Sequence, residues 1–61
     1  MPEIVVYAVE GRSSEVKKKL MKEITDVVVS NFNVKPEVVV VTVIETPKQQ
    51  KSRGGIPFDE Q

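Results

Sequence analysis

The feature that most constrains the fold is a pair of short segments in which neighbouring positions are almost all apolar. Residues 3–9 read EIVVYAV and residues 38–44 read VVVVTVI. Successive side chains of a strand point to opposite faces of the sheet. In the first segment, one face would carry Ile4, Val6 and Ala8, and the other Val5, Tyr7 and Val9. Both segments are therefore predicted to be strands with two apolar faces, as in sheets that are covered on both sides.

One amphipathic helix is predicted between these strands. Ser13 is a good N-cap, and the helix should end near residues 31–33, ahead of Pro36. The lysine run at 17–19 is interpreted as a solvated face of this helix, with an anion-binding patch as the alternative. The apolar residues expected to face the sheet are Val16, Leu20, Ile24, Val27 and Val28. A strand, a long helical crossover and a second strand predict a parallel β-α-β unit of the α/β class with a right-handed connection.

The remaining segment, residues 46–61, is polar and rich in turn-forming residues. Gly54 and Gly55 lead into Ile56 and Pro57, which predicts either a short hairpin or a tail without regular structure. Pro57 excludes a long central strand. The 61 residues are too few for two domains, so residues 1–61 are predicted to form one.

The length of the chain favours an oligomer. A domain of this size buries only about 60% of the surface that its unfolded chain exposes, and such domains usually rely on disulfides, metal ions or partner subunits. The chain contains no Cys and no His, which excludes disulfides and ordinary zinc sites. Because one helix covers one face of a two-stranded sheet, the other apolar face is expected to be covered by further subunits that complete the sheet.

Charge and motifs exclude several classes of function. Nine basic residues balance nine acidic ones, so neither a nucleic acid nor a membrane partner is expected. The longest apolar run, residues 38–41, is far too short to span a bilayer. Glu3 stands where a signal peptide would carry positive charge, so the protein is expected to be cytoplasmic. Ser–His and Cys–His nucleophile pairs cannot be built, and no GxGxxG or P-loop motif occurs, so an enzyme of this sequence would have to use a less common chemistry.

Pro2 and Arg12 each have a structural and a chemical interpretation. Proline is tolerated at the first position of a strand. If Met1 is removed, however, Pro2 becomes a rigid secondary amine, and the reference pKa of an α-amino group, about 7.7–8.0, suits proton abstraction next to a carbonyl. Arg12 is either a surface residue in a turn or a two-point ligand for a carboxylate, beside a helix N-terminus that favours anions.

The distance between Pro2 and Arg12 argues against a shared site within one extended strand. Ten residues at the usual strand rise would separate them by about 33 Å. A bend in the chain or a neighbouring subunit would have to bring them together.

The order of these elements resembles the 4-oxalocrotonate tautomerase family. The resemblance covers essentially the whole chain and rests on Pro2, Glu10-Gly11-Arg12-Ser13, Glu45 and Gly54-Gly55 at the family's spacing. It implies β-α-β subunits that pair antiparallel into a four-stranded sheet backed by helices, with three dimers forming a homohexamer. In such a dimer the far end of a neighbouring strand lies close to Pro2, which removes the objection of distance.

The resemblance also implies a function and its residues. Pro2, freed of Met1, would be the general base and acid of a cofactor-independent tautomerase. Arg12 would bind the carboxylate of a small 2-hydroxy-enoic or 2-keto acid and polarise the developing enolate.

Two positions depart from the family's pattern. Members that act on a dicarboxylate carry a second arginine early in the second strand, where this chain has Val40. They also carry an aromatic residue before the glycine pair, where this chain has Lys51. Lys51 or Arg53 would restore a cation at the substrate site, unless KQQKSR is simply a solvated loop. The resemblance therefore implies weak activity on dicarboxylates, and the alternative is a catalytically silent scaffold or partner subunit of an active paralogue.

Overall fold

The strand–helix–strand order predicted from the sequence is confirmed in the computed structural model, which describes residues 1–61. The regular elements are β1 (Glu3–Val9), α1 (Ser14–Phe32), β2 (Val40–Thr46), β3 (Ser52–Arg53) and β4 (Ile56–Pro57). Single turns of 3-10 helix lie at Pro36–Val38, Lys48–Gln50 and Phe58–Glu60. The chain is thus a β-α-β unit followed by a small hairpin.

Strands β1 and β2 are parallel and aligned from end to end. Their register runs from Glu3 opposite Val40 to Val9 opposite Thr46. The ladder continues at its far end, where the Glu10 N–H donates to the Thr46 carbonyl at 3.1 Å. Residues near the start of each strand therefore share one end of the sheet, and residues near the finish share the other.

The predicted start of the second strand, at residue 38, is wrong by two residues. Pro36 opens a 3-10 turn, in which the Val38 N–H donates to the Lys35 carbonyl and the Val39 N–H to the Pro36 carbonyl. Proline presets the backbone for the first position of a helical turn. These two amides are used inside the turn, so β2 begins at Val40, and it continues to Thr46, two residues beyond the predicted end.

Both ends of α1 agree with the prediction. The Ser13 hydroxyl accepts a hydrogen bond from the Val16 N–H at 3.2 Å, as an N-cap does. Asn33 ends the helix in the left-handed conformation, with φ of 55°, and its N–H donates to the Val29 carbonyl. No helical segment of the chain has the length and apolar character that crossing a membrane requires.

The face that α1 turns to the sheet differs from the predicted one. Ile24 and Val28 are half-buried as expected, but Val16, Leu20 and Val27 are largely exposed. The half-buried helix residues are Lys17, Met21, Ile24, Thr25, Val28 and Val29. Lys17 was expected among solvated lysines and instead contacts Glu45 of β2, so the half-buried stripe of the helix is shifted from the predicted one.

The sheet has one covered face and one open face. Alternate residues of both strands face α1 and are half-buried, namely Ile4, Val6, Ala8, Val41, Val43 and Glu45. The opposite face carries Val5, Tyr7, Val40, Thr42 and Ile44. Tyr7 at its centre is 69% exposed, and no residue of the single subunit is fully buried. The open face is thus an apolar surface without cover inside one subunit.

The dimensions of the subunit agree with a missing core. Its accessible surface is 4842 Å², whereas a compact monomer of 6.8 kDa would expose about 4,000 Å². Its radius of gyration is 14.6 Å, against about 10.5 Å for a compact domain of this length. The extents of 43 × 24 × 13 Å describe a thin, elongated slab.

Of the two predictions for the C-terminal segment, the hairpin is confirmed. Arg53 pairs with Ile56 and Ser52 with Pro57 in an antiparallel ladder. Gly54 and Gly55 both have positive φ, at 63° and 82°, which a two-residue hairpin turn of this type requires. Pro57 is the last residue of the two-residue strand β4, so the backbone hydrogen bond that a proline cannot donate is lost at the end of the ladder, where the loss costs little.

Candidate active site

Pro2 lies where the two parallel strands begin. Its carbonyl oxygen accepts a hydrogen bond from the Val40 N–H at 3.0 Å, which extends the sheet ladder beyond Glu3. Pro2 is half-buried, and the neighbouring Val40 side chain is on the open face of the sheet. The structure therefore brings together two of the residues named from the sequence, and a backbone hydrogen bond holds them.

Arg12 lies at the opposite end of β1, in the four-residue segment Glu10–Ser13, which we call the arginine turn. Its Nη1 donates to the Val9 carbonyl at 3.0 Å, and the side chain is exposed. A guanidinium has five N–H donors, so most remain free for a planar two-point contact with a carboxylate. The arrangement leaves an exposed guanidinium with free N–H donors at the finishing end of the sheet.

The single subunit does not bring Pro2 and Arg12 together. The whole of β1 separates them, and its seven residues span about 23 Å at the usual rise of a strand. This separation agrees with the distance argument made from the sequence. No enclosed cavity exists within one subunit.

Lys51 and Arg53 are placed in the hairpin segment. The Lys51 backbone is fixed, because its N–H donates to the Lys48 carbonyl and its own carbonyl accepts from the Phe58 N–H at 2.8 Å. The Arg53 guanidinium lies 5.3 Å from the centroid of the Phe58 ring, in cation–π range. Arg53 is thus engaged within the hairpin, whereas the half-buried Lys51 forms no ion pair in the subunit.

An ion pair between Lys17 and Glu45 was missed by the sequence analysis. Lys17 Nζ lies 2.6 Å from Glu45 Oε1, and Glu45 Oε2 is buried without a hydrogen-bond partner. Glu45 alternates with Val41 and Val43, a spacing that places it on the covered face of β2. This alternation could have predicted the ion pair from the sequence. A carboxylate on the covered face is costly to bury without a partner, and the helix that covers this face is the nearest source of a cation. No three acidic side chains lie close enough to hold a metal ion.

Comparisons with known proteins identify the family to which the chain belongs. The model of the family described as tautomerase enzyme matches residues 2–60. A probable tautomerase of Bradyrhizobium diazoefficiens is 42% identical over 60 residues, which cover 98% of this chain and 90% of the relative.

Solved structures give the same answer. YwhB, a homologue of 4-oxalocrotonate tautomerase, has a TM-score of 0.92 at 27% identity, with 98% of each chain covered. A heterohexameric 4-oxalocrotonate tautomerase of Chloroflexus aurantiacus has a TM-score of 0.91 at 28% identity, covering 98% of this chain and 97% of that chain. With the sequence match and the fold in agreement, this chain belongs to the tautomerase family, and it is of the 4-oxalocrotonate tautomerase type.

Proposed function

We propose that this protein is a cofactor-independent tautomerase that interconverts the enol and keto forms of small 2-hydroxy-enoic and 2-keto acids. The observation that carries the proposal is the position of Pro2. It lies one residue from the start of the chain and is held at the end of the sheet by the Val40 N–H. Removal of Met1 would turn this rigid residue into a secondary amine at the end of the sheet where both strands begin.

The proposed reaction moves one proton and needs no other reactant. The neutral amine of Pro2 takes the proton from the enol hydroxyl, and the oxygen forms a carbonyl as the carbon–carbon double bond shifts. The resulting ammonium returns a proton to the carbon. Atoms and charge balance over the cycle, and Pro2 acts first as a general base and then as a general acid.

Arg12 is proposed to hold the substrate carboxylate. Its free N–H groups match the two oxygens of a carboxylate, a fit that lysine cannot offer. The same positive charge stabilises the negative charge that develops on the enolate oxygen. The nearby N-terminus of α1 adds the favourable end of the helix dipole.

The proposed active site combines two subunits. Pro2 and Arg12 are at opposite ends of β1, so an antiparallel neighbour would bring its own Arg12 to the first subunit's Pro2. The uncovered apolar face, with Tyr7 at its centre, supports burial against further copies. The exposed surface in excess of a compact monomer is about 800 Å², comparable to one partner's share of a standard interface. We propose a homo-oligomer built from dimers, a hexamer in its complete form.

The proposed substrates have a single carboxylate. Val40 presents an aliphatic side chain beside Pro2, where a cation would be needed to hold a second carboxylate. An unpaired carboxylate next to an apolar side chain loses hydration without compensation. Activity on dicarboxylates is therefore expected to be weak.

A second candidate function is that of a catalytically silent partner subunit. The observation in its favour is that the positions of Val40 and Lys51 lack the groups expected in a dicarboxylate pocket. The structurally similar protein from Chloroflexus aurantiacus is a heterohexamer, so mixed assembly exists among proteins of this fold. A homo-oligomer that turns over a simple enol acid would exclude this candidate.

The test begins with the intact mass of the purified chain. A mass that lacks one methionine is expected, and phenylenolpyruvate, a monocarboxylate enol acid, is then the assay substrate. Pro2→Ala should lower kcat/KM by about 10²- to 10⁴-fold, the usual contribution of a general acid–base residue. Sedimentation should show the same assembly for both proteins. Retained Met1 in an active preparation, or an active Pro2→Ala variant, would contradict the proline mechanism.

A further inference from the structure

The finishing end of β2 carries an ion pair that the proposed chemistry does not use. The side chains of Lys17 and Glu45 are only 27% and 23% exposed. The chain has one other ion pair, between Lys22 and Asp26 on the solvent side of α1, with exposures of 71% and 58%. Water and salt screen an exposed pair far more than a partly buried one. The first pair is therefore suited to holding elements in place, and the second is not.

The Lys17–Glu45 pair fixes one arm of the arginine turn. On the strand side, the Glu10 N–H donates to the Thr46 carbonyl at 3.1 Å. On the helix side, the Lys17 N–H donates to the Ser13 carbonyl at 3.2 Å, and the Lys17 ammonium reaches back to Glu45. Both arms of the turn are thus attached to two consecutive residues at the end of β2.

Little inside the arginine turn restrains it. Gly11 has φ of 129°, a conformation that other residues rarely adopt, and no other part of the chain lies within 4 Å of the place where its side chain would be. Arg12 is exposed and has one hydrogen bond, to the Val9 carbonyl. The direction of the guanidinium therefore depends on the two attached arms.

We propose that Lys17 and Glu45 are positioning residues that direct the Arg12 guanidinium toward a bound carboxylate. The proposal rests on the proposed function, which assigns the carboxylate to Arg12. Loss of the pair frees the helix-side arm, so the guanidinium spends less time in the binding orientation. Affinity for the carboxylate falls, and kcat falls with it, because the same guanidinium is proposed to stabilise the developing enolate.

A direct electrostatic effect of the two charges predicts a different pattern. Lys17→Met leaves the Glu45 carboxylate unpaired near the substrate anion and would raise KM. Glu45→Leu leaves the Lys17 ammonium unpaired and would lower KM. Positioning predicts a higher KM in both variants, because each removes the same contact. The sign of the Glu45→Leu effect separates the two explanations.

The experiment measures KM and kcat for phenylenolpyruvate with the processed, assembled protein. Lys17→Met and Glu45→Leu should each raise KM by about 3- to 20-fold, in the range of couplings within one side-chain network, and should also lower kcat. Lys17→Arg, which keeps the charge, should restore most of the affinity. Lys22→Met removes the exposed pair from the same helix and is the matched control, with an unchanged KM expected.

Several outcomes would overturn the proposal. A lower KM in Glu45→Leu would assign the effect to charge, and an unchanged KM in both variants would remove the role altogether. Arg12→Ala distinguishes the underlying function: if it raises KM and Lys17→Met does not, only the positioning role fails. If Arg12→Ala leaves KM unchanged, both assignments fail.

A second route covers variants that do not fold. If sedimentation shows that Lys17→Met and Glu45→Leu fail to assemble, the exchanged pair, Lys17→Glu with Glu45→Lys, replaces them. Restored assembly with a KM close to that of the unmodified protein supports positioning. Restored assembly with the KM raised to that of Arg12→Ala overturns it.

Discussion

The two ends of the parallel sheet are built in different ways. At the starting end, Pro2 is held by a main-chain hydrogen bond from Val40, and the neighbouring side chain is aliphatic. At the finishing end, Arg12 projects from a glycine-containing turn beside the Lys17–Glu45 pair. Pro2 is held by the backbone ladder alone, whereas the arginine turn is held by the ladder on its strand side and by a side-chain ion pair on its helix side. Substitutions of side chains should therefore disturb the finishing end more easily than the starting end.

The two ends also carry different parts of the proposed chemistry. The starting end provides a proton carrier with no ionic partner, and the finishing end provides the cation that an acid substrate needs. A parallel β-α-β unit keeps these ends apart, because β1 lies between them. An antiparallel copy places unlike ends side by side, and this relation can be tested directly.

The largest expected effect is the recovery of activity on mixing two variants that each have low activity. Pro2→Ala lacks the proton carrier and Arg12→Ala lacks the carboxylate ligand. If each site takes Pro2 from one subunit and Arg12 from another, an equal mixture refolded together should recover activity at about a quarter of the sites, by random assembly of a symmetric oligomer. The measurement is the rate of phenylenolpyruvate tautomerisation before and after joint unfolding and refolding.

The control for this mixing experiment is each variant refolded alone, which should keep its own low activity. A double variant, Pro2→Ala with Arg12→Ala, refolded with the unmodified protein corrects for changes in assembly. A mixture no more active than its components would place both groups of a site in one subunit, and would remove the contrast between the two ends.

A smaller effect is expected from adding a cation to the starting end. Val40→Arg would place a guanidinium on the open face beside Pro2, where a second carboxylate lacks a partner. A charge-assisted contact contributes about 1.5–3 kcal/mol, so KM for the dicarboxylate 2-hydroxymuconate should fall by about 10- to 150-fold. KM for phenylenolpyruvate should change little, because that substrate has one carboxylate.

Val40→Met is the matched control for the added cation, since it lengthens the side chain without charge. It should leave both KM values close to those of the unmodified protein. Equal effects of Val40→Arg on the two substrates would show that the starting end does not distinguish one carboxylate from two.

The features of the fold that the sequence predicted correctly are the ones determined locally. The limits of β1 follow from one segment that is almost entirely apolar, and the ends of α1 follow from Ser13 and Asn33. The turn at Gly54 and Gly55 likewise depends on two neighbouring residues. Parallel pairing follows from the length of the crossover alone.

The features that the sequence did not predict depend on contacts between distant residues. The rotation of α1 is coupled to the Lys17–Glu45 contact across 28 positions of the chain. A lysine at position 17 and an acid at position 45 each have ordinary surface interpretations when considered singly. The start of β2 was missed for a related reason, since valine fits both the 3-10 turn and the strand, and only hydrogen bonding separates them.

The smallest expected effect concerns Lys51, which belongs to neither end of the sheet. Its backbone is fixed in the hairpin while its ammonium forms no ion pair in the subunit, so it can reach a substrate carboxylate only in the assembled protein. Lys51→Ala should raise KM for phenylenolpyruvate by about two- to fivefold, as expected for one surface charge that water and salt screen. The effect should shrink as salt is added. Lys48→Ala, an exposed lysine in the same segment, should have no effect on KM. If both variants leave KM unchanged, Lys51 does not contact the substrate. Arg12 is then the only cation proposed to bind the substrate carboxylate, and the finishing end alone provides that contact.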